Sequence, residues 1–420
     1  MTEAGVARSI GRVALVLQST SLGGMETHCA DLAAEFVRQG LEVIVVLPPT
    51  GLYDDLAARV EAAGAGVHRI TSDATAGRAF QARGLLRLTR ILRKWHPDVV
   101  HLHTGGGTGG LALVFVGRML TSQAIVITEH DVPVESPGLR QRAARKALDQ
   151  LADAIVAVSR RNARLRMKRI PPPARKLAAV LNGASTADIP PTNARQDNRR
   201  RLRSLLKIDS EGIVIGSLVR LADGKGLHEL IRAFAIARAD HPATLLLIGD
   251  GPLRAQLEAL AADLGAADHV RFAGQQVKAT PYLDAMDIFV LAVPAGSMSM
   301  ALLEAMARGL PSVITYCGPE EPVIDCQTGL CAPPSDPQGL AEVLVRLSGD
   351  PELREKLGRA GEAHVRRHFS VERVAADLLE LYGTCRSGRL PDRLSASVPR
   401  TVSIEERSPQ SAASPGPVAR

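Results

Sequence analysis

IVIGSLVRLADGKGLHELIRAFAIA, residues 213–237, passes from one structural pattern to another within a single stretch. It begins as a run of Ile, Val and Leu without polar alternation, which suits a strand buried on both faces. It ends with a helical pattern, and between the two stands a short charged loop holding Arg220, Asp223, Gly224, Lys225 and Gly226. Strand, glycine-bearing loop and helix make the repeating unit of a parallel α/β sheet.

The same alternation continues outward in both directions. Downstream, TLLLIGDG from Thr244, HVRFAG from His269, DIFVLAV from Asp287 and LPSVITY from Leu310 read as further buried strands. Upstream lie RVALVLQ from Arg12, LEVIVVLP from Leu41, VVHLHT from Val99, AIVITEH from Ala124 and AIVAVS from Ala154. Between the two series, residues 184–212 are polar, proline-containing and arginine-rich, and read as a surface connection. The expected fold class is α/β with two Rossmann-like domains. Their expected bounds are 1–192 and 193–365, followed by a helix over 366–385 and a disordered Ser/Pro/Arg-rich tail over 386–420.

Bulk composition narrows the function classes. A chain of 420 residues, 45% of them hydrophobic, has apolar material for two cores. Aromatic residues are only 3% of it, too few for the stacking platforms of single-stranded nucleic-acid binders, so no nucleic-acid partner is expected despite a net charge of +7. Five cysteines without C-x2-C spacing indicate neither a zinc site nor a disulfide framework, and a cytoplasmic location is expected. The start of the chain lacks a signal-peptide pattern, and no run of ~18 apolar residues appears.

Parallel sheets bind ligands beyond the carboxyl ends of their strands. After the first strand, Gly23 and Gly24 open a helix and let a ligand or the opposite domain approach the backbone, though a tight strand-to-helix turn needs the same glycines. His130, between Glu129 and Asp131, ends its strand at the cleft, where an imidazole can bond a sugar hydroxyl or orient an acceptor. His101 and His103 share one strand face, but no third ligand accompanies them, so no metal is assigned. Arg220 and Lys225 suit a diphosphate, whose charge grows as a glycosyl bond breaks. They can take the place of a metal ion, and no Asp-x-Asp pair is present to hold one. Gly296, Ser297, Met298, Ser299 and Met300 lead into a helix whose free N–H groups can meet phosphate oxygens. Glu304, one turn in, can grip ribose hydroxyls. GDGPLRAQLE from Gly249 lacks G-x-G-x-x-G spacing and supports no NAD site.

In order and spacing, GGMETHCADLA, VVHLHT, ITEHD, IVAVS, the Asn182-Gly183 pair, SLVRLADGKGLHELIRAF, LLLIGDGPL, VRFAG and LLEAMARGLPSVIT resemble the family 4 glycosyltransferases of GT-B architecture, over roughly residues 10 to 382. The resemblance implies facing domains, with the donor nucleotide held mainly by the second and the acceptor by the first. It implies metal-independent, retaining transfer without a cofactor, and a last helix that crosses back. Gly24 would then approach the donor phosphates and His130 the donor sugar. Arg220 with Lys225 would neutralise the diphosphate and Glu304 would bind ribose, while Gly23 and His103 would lie on the acceptor side. One position departs from the family's Glu-x7-Glu pair: eight residues before Glu304 stands Gly296, so no carboxylate is available there as a nucleophile. Ser297 or Ser299 is placed to compensate in part.

A UDP-linked hexose or N-acetylhexosamine, UDP-N-acetylglucosamine foremost, is the expected donor. A cyclitol or aminocyclitol of the 2-deoxystreptamine kind is the expected acceptor. Basic clusters around residues 140–150, 160–170 and 199–207 raise the alternative of a membrane lipid acceptor, but they lack an adjacent aromatic stripe, so peripheral membrane contact is not favoured. A nucleotide-sugar 2-epimerase and an inactive nucleotide-sugar-binding homologue are the competing readings.

Overall fold

A computed structural model describes residues 10–19, 23–70, 78–105, 114, 118, 124–131, 138–187, 189–276, 278–294, 298–315, 322–385 and 394. The first half forms a seven-stranded sheet of β1 (Arg12–Gln18), β2 (Glu42–Leu47), β3 (Gly66–Arg69), β4 (Val99–Thr104), β5 (Ala124–Glu129), β6 (Ala154–Ala157) and β7 (Leu177–Ala179). The strand order is β3-β2-β1-β4-β5-β6-β7 and every pairing is parallel. The second sheet holds β8 (Ile213–Leu218), β9 (Ala243–Ile248), β10 (Val270–Gly274), β11 (Ile288–Leu291), β12 (Ser312–Ile314) and β13 (Leu330–Cys331). Its order is β10-β9-β8-β11-β12-β13, again parallel.

The two sheets share one topology. In each, chain order reverses direction beside the first strand, between β1 and β4 and between β8 and β11. Such a reversal opens a crevice at the strand ends, because the loops on either side turn away from one another. The strands are buried on both faces, as their unbroken apolar runs require.

The helix Val371–Thr384 lies on the first sheet's layer: Val374, Ala375, Leu378, Leu381 and Tyr382 share a core with Leu32 and Phe36 of the helix Gly24–Arg38. The chain crosses back where Gly183 meets Ser370, and a Cβ on Gly183 would stand 2.5 Å from the Ser370 carbonyl oxygen. Most of the tail expected to be disordered lies outside the described residues. Leu394 departs from that expectation: it is buried in the first core, and its carbonyl accepts from the Ala179 N–H at 2.9 Å.

Three expectations need correction. The arginine-rich connection is not merely a surface linker, since Thr192–Leu205 is a helix that buries Leu202 and Arg203 against the second sheet. Arg203 donates to the carbonyls of Ala285, Asp209, Ser210 and Gly212 and to Asp287, so its fork satisfies a strand entry that would otherwise leave oxygens bare. The basic clusters that raised a membrane-facing alternative are likewise partly buried. Arg145 and Arg166 are fully buried with Glu129 and Asp149, and polar composition concealed them because both signs of charge were needed to bury either. Finally, Cys331 is disulfide-bonded, its partner outside the described residues, whereas Cys29, Cys326 and Cys385 are free. Among the described residues no helix is long and apolar enough to cross a membrane.

Candidate active site

The carboxyl ends of both sheets face one cleft of about 2080 Å³. Its walls take Gly23, Gly24, Thr104, Gly105, His130 and Asp131 from the first half, and Arg220, Lys225, Gly249, Met298 and Glu304 from the second. These residues follow β1, β4, β5, β8, β9 and β11, so both switch points contribute to the lining.

Arg220 and Lys225 share a loop shaped by glycines. Gly226 adopts φ +66°, and a Cβ there would stand 1.9 Å from the carbonyl oxygen of Ala292 at the end of β11. Only glycine fits both the left-handed backbone and that approach. On its other side the loop leans on the Gly249–Gly251 turn: a Cβ on Gly249 would lie 2.1 Å from the Val219 carbonyl oxygen, and one on Gly251 would lie 2.3 Å from that of Leu221. The GDGP segment therefore acts as a buttress for the loop that carries Arg220. Arg220 is exposed and Lys225 half-buried, and among the described residues neither is ion-paired. Two cations held in a glycine-shaped loop are a ready anion site.

The helix Met300–Ala307 points its N-terminus into the same cleft. Ser299 caps it, its Oγ accepting from the Leu302 N–H at 3.4 Å. Met298 offers its carbonyl to Asn182 Nδ2 at 3.0 Å, which ties the helix entrance to the first domain. Gly24 makes the second tie, since a Cβ there would stand 3.2 Å from Met300 Cγ. Gly296 and Ser297 lie outside the described residues. Glu304 is half-buried, and burial together with the carboxylate of Asp31 pushes its carboxyl up to about 7.

His130 reaches the cleft, but His103 does not. His103 is fully buried behind His130, with its Nδ1 3.1 Å from His130 Nε2; the strand-end position was legible, whereas its depth behind a second histidine was not. It therefore cannot touch an acceptor directly. Its Nε2 is buried without a partner. A buried orphan N–H costs more than a bare lone pair, so the His103 proton belongs on Nδ1, donated to His130. His130 then carries its own proton on Nδ1. Burial first, and the neighbouring imidazoles second, hold His130 and His103 far below the ordinary histidine range. His28 and His101 complete the cluster, pushed down to about 4 and about 3 by burial. His101 is anchored by Tyr382 Oη at 2.6 Å and Thr128 Oγ1 at 2.7 Å. The alternation of His101 and His103 thus makes a neutral stack, with ring centroids 4.3 Å apart. Among the described residues no three side chains are grouped to bind a metal.

Sequence reading missed Glu26, Asp31 and Asp131 as cleft residues. Glu26 lies within the quoted GGMETHC segment, but a first-turn glutamate on a helix ordinarily faces water; nothing in the spacing told of its burial at 2% exposure.

Residues 22–188 match the family described as Glycosyltransferase Family 4, and residues 198–364 match Glycosyl transferases group 1. The lipopolysaccharide core biosynthesis glycosyltransferase LpsE of Rhizobium meliloti is 34% identical over 43% of this chain and 52% of its own length. The chain thus spans about half the length of the first curated relatives it matches. Longer alignments are found with a D-inositol 3-phosphate glycosyltransferase of Salinispora tropica, 29% identical over 86% of this chain and 81% of that protein. A 2-deoxystreptamine glucosyltransferase of Streptomyces kanamyceticus is 26% identical over 75% of this chain and 84% of that protein. In fold the chain is similar to a glycosyltransferase from Rickettsia africae, with a TM-score of 0.73 and 16% identity over 90% of this chain and 99% of that one. It is also similar to Anabaena HepE in complex with UDP-glucose, with a TM-score of 0.71 and 20% identity over 88% of this chain and 98% of that one. Two parallel sheets that face a common cleft, each half matched by its own family pattern, establish that the chain belongs to the family 4 glycosyltransferases of GT-B architecture.

Proposed function

We propose that this chain transfers a hexose or N-acetylhexosamine from a UDP-linked donor, UDP-N-acetylglucosamine foremost, to a small cyclitol or aminocyclitol of the 2-deoxystreptamine type, with retention and without a metal ion. The observation that carries this reading is the meeting of Arg220, Lys225 and the N-terminus of Met300–Ala307 on one wall of the cleft, with Gly24 opposite. Two side-chain cations and a helix start answer the charge of a diphosphate.

In the proposed step the bond from the anomeric carbon to the diphosphate oxygen breaks, and the acceptor oxygen bonds to that carbon on the same face. The acceptor's proton passes to the departing phosphate oxygen. Arg220, Lys225 and the helix N–H groups stabilise the charge that this departure builds. His130 donates from Nδ1 to a hydroxyl of the transferred sugar, and Glu304 accepts from the ribose. The loss of a carboxylate at Gly296 removes a charge-assisted bond worth about 1.5–3 kcal/mol, and shifts the reading toward front-face departure rather than double displacement.

Support for a small acceptor comes from alignment along most of the chain with proteins named for inositol phosphate and 2-deoxystreptamine. A lipid acceptor is the second reading, favoured by Leu139, 86% exposed beside Arg140 and Arg142. The test is incubation with UDP-glucose, UDP-N-acetylglucosamine and GDP-mannose against cyclitol and lipid acceptors, with products read by mass spectrometry and the anomeric coupling by NMR. A glycosylated cyclitol of retained configuration is expected. An isomerised free donor, or a covalent glycosyl-enzyme, would contradict the reading.

A further inference from the structure

Two buried side-chain oxygens on the first domain's wall of the cleft have no hydrogen-bond partner among the described residues. Glu26, 2% exposed, lines the cleft; Ser19 and the backbone N–H groups of Gly23 and Glu26 bond its carboxylate, while its Oε1 is buried and without a partner. Gln18 Oε1, at the end of β1, is buried and unpartnered beside the same cleft. Asp131 follows His130, and Gly105 leaves space for it: a Cβ on Gly105 would lie 3.1 Å from Asp131 Oδ2. The two carboxylates feel one another, and burial raises both above the ordinary carboxyl range. Buried carboxylate oxygens are costly unless a donor or a cation meets them.

Among the described residues, neither Glu26 nor Asp131 is in an ion pair. The cation whose field reaches Asp131 is Lys225, which crosses from the opposite domain. The transferase reading commits Lys225 to the donor diphosphate. Once it is so engaged, Glu26 and Asp131 are left without a cation among the described residues, since the first half's own cleft cations, Arg38 and Arg59, are paired with Glu35 and Asp31. A phosphate-bearing acceptor would be repelled there, whereas an ammonium group supplies up to three N–H donors and the missing charge.

We propose that Glu26 and Asp131 form an acceptor subsite that takes the protonated amine of an amino-substituted polyol, and that they set this chain's preference for such acceptors over neutral or phosphorylated ones. The subsite rests on the transferase reading and specifies the acceptor within it. It also orders the reaction: the amine binds more tightly after a nucleotide diphosphate has drawn Lys225 away.

The test compares kcat/KM for 2-deoxystreptamine, myo-inositol and an inositol monophosphate with one UDP-sugar donor. The diamine is expected to exceed the neutral cyclitol by at least about tenfold, the size of one charge-assisted contact, with the phosphate weakest. Glu26→Gln and Asp131→Asn are each expected to shrink the diamine-to-inositol ratio by about tenfold, mostly through KM. A UDP titration of each variant reports folding, and Asp131→Asn, at an exposed position, keeps the test open if Glu26→Gln does not fold. Calorimetry adds a readout independent of turnover, with 2-deoxystreptamine expected to bind the UDP-loaded protein more tightly than the empty one. Equal or better use of inositol or its phosphate, an unmoved ratio in a folded variant, or no diamine binding with UDP bound would each overturn the subsite. Failure of the wild type to bind UDP at all would overturn the transferase reading instead.

Discussion

Glu304, proposed to bind the ribose, carries a cost to the empty protein. Its ordinary range lies near 4.5, and burial with Asp31 nearby lifts it to about 7. A carboxyl whose pKa is raised on folding favours the fold while protonated, and loses that advantage as pH rises from about 4.5 through about 7. Glu304→Gln mimics the protonated form, so it should stabilise the ligand-free chain above pH 7. The gain is roughly 1 kcal/mol once partial exposure is discounted, or about 2 °C in Tm. Thermal melts at pH 8 and pH 5 check this, the difference shrinking at the lower pH. The same substitution should weaken UDP by about tenfold at pH 8, because a carboxylate accepts from ribose hydroxyls more strongly than an amide does. Residue identity made Arg220, Lys225 and Glu304 legible in sequence, since each stands at a strand end or one turn into a helix. Glu26 and Asp131 were not legible, because Glu26 differs from a surface acid only in its burial and Asp131 only in facing the cleft.

Among the elements, the loop between β8 and the helix Leu227–Ala237 has the least freedom to vary. Gly226→Ala forces a Cβ within 1.9 Å of the Ala292 carbonyl oxygen at φ +66°. It should cost about 2–4 kcal/mol in denaturant unfolding and displace Lys225, with a fall of about tenfold or more in UDP affinity. The histidine stack on β4 and β5 makes a second prediction. His28, His101, His103 and His130 are neutral in the fold, and their depressed pKa values make stability fall with acid below about 6.5, where the unfolded chain takes up the protons. Each contributes a slope of up to about 1.4 kcal/mol per pH unit, so His101→Phe should lower the slope of urea stability between pH 5 and 6.5 by about one proton. An unchanged slope would mean that His101 is charged in the fold. Strands were legible because burial on both faces leaves an unbroken apolar run. The helix Thr192–Leu205 was not, because its buried contacts are made by arginine forks on Asp284 and Asp287 rather than by apolar spacing.

Across the whole molecule, two copies of one sheet topology face each other, and the ties among the described residues include Asn182 to Met298, Gly24 against Met300, and Gly183 against Ser370. The order of motifs made this plan readable, since strand-end residues on both sheets had to meet if the sheets faced. The proposed acceptor subsite could not be read in the same way, because its residues come from the ends of β1, β4 and β5 and meet only when these strands lie side by side. The central proposal is a grip on the donor diphosphate by Arg220, Lys225 and the helix start, made without a metal ion. Calorimetric titration of UDP in the presence of EDTA, into the wild type and into Arg220→Ala and Lys225→Ala, tests it most directly. Binding by the wild type in EDTA, weakened at least about thirtyfold in each variant, is the predicted result. Binding that requires a divalent cation, or that is unchanged in both variants, would contradict it.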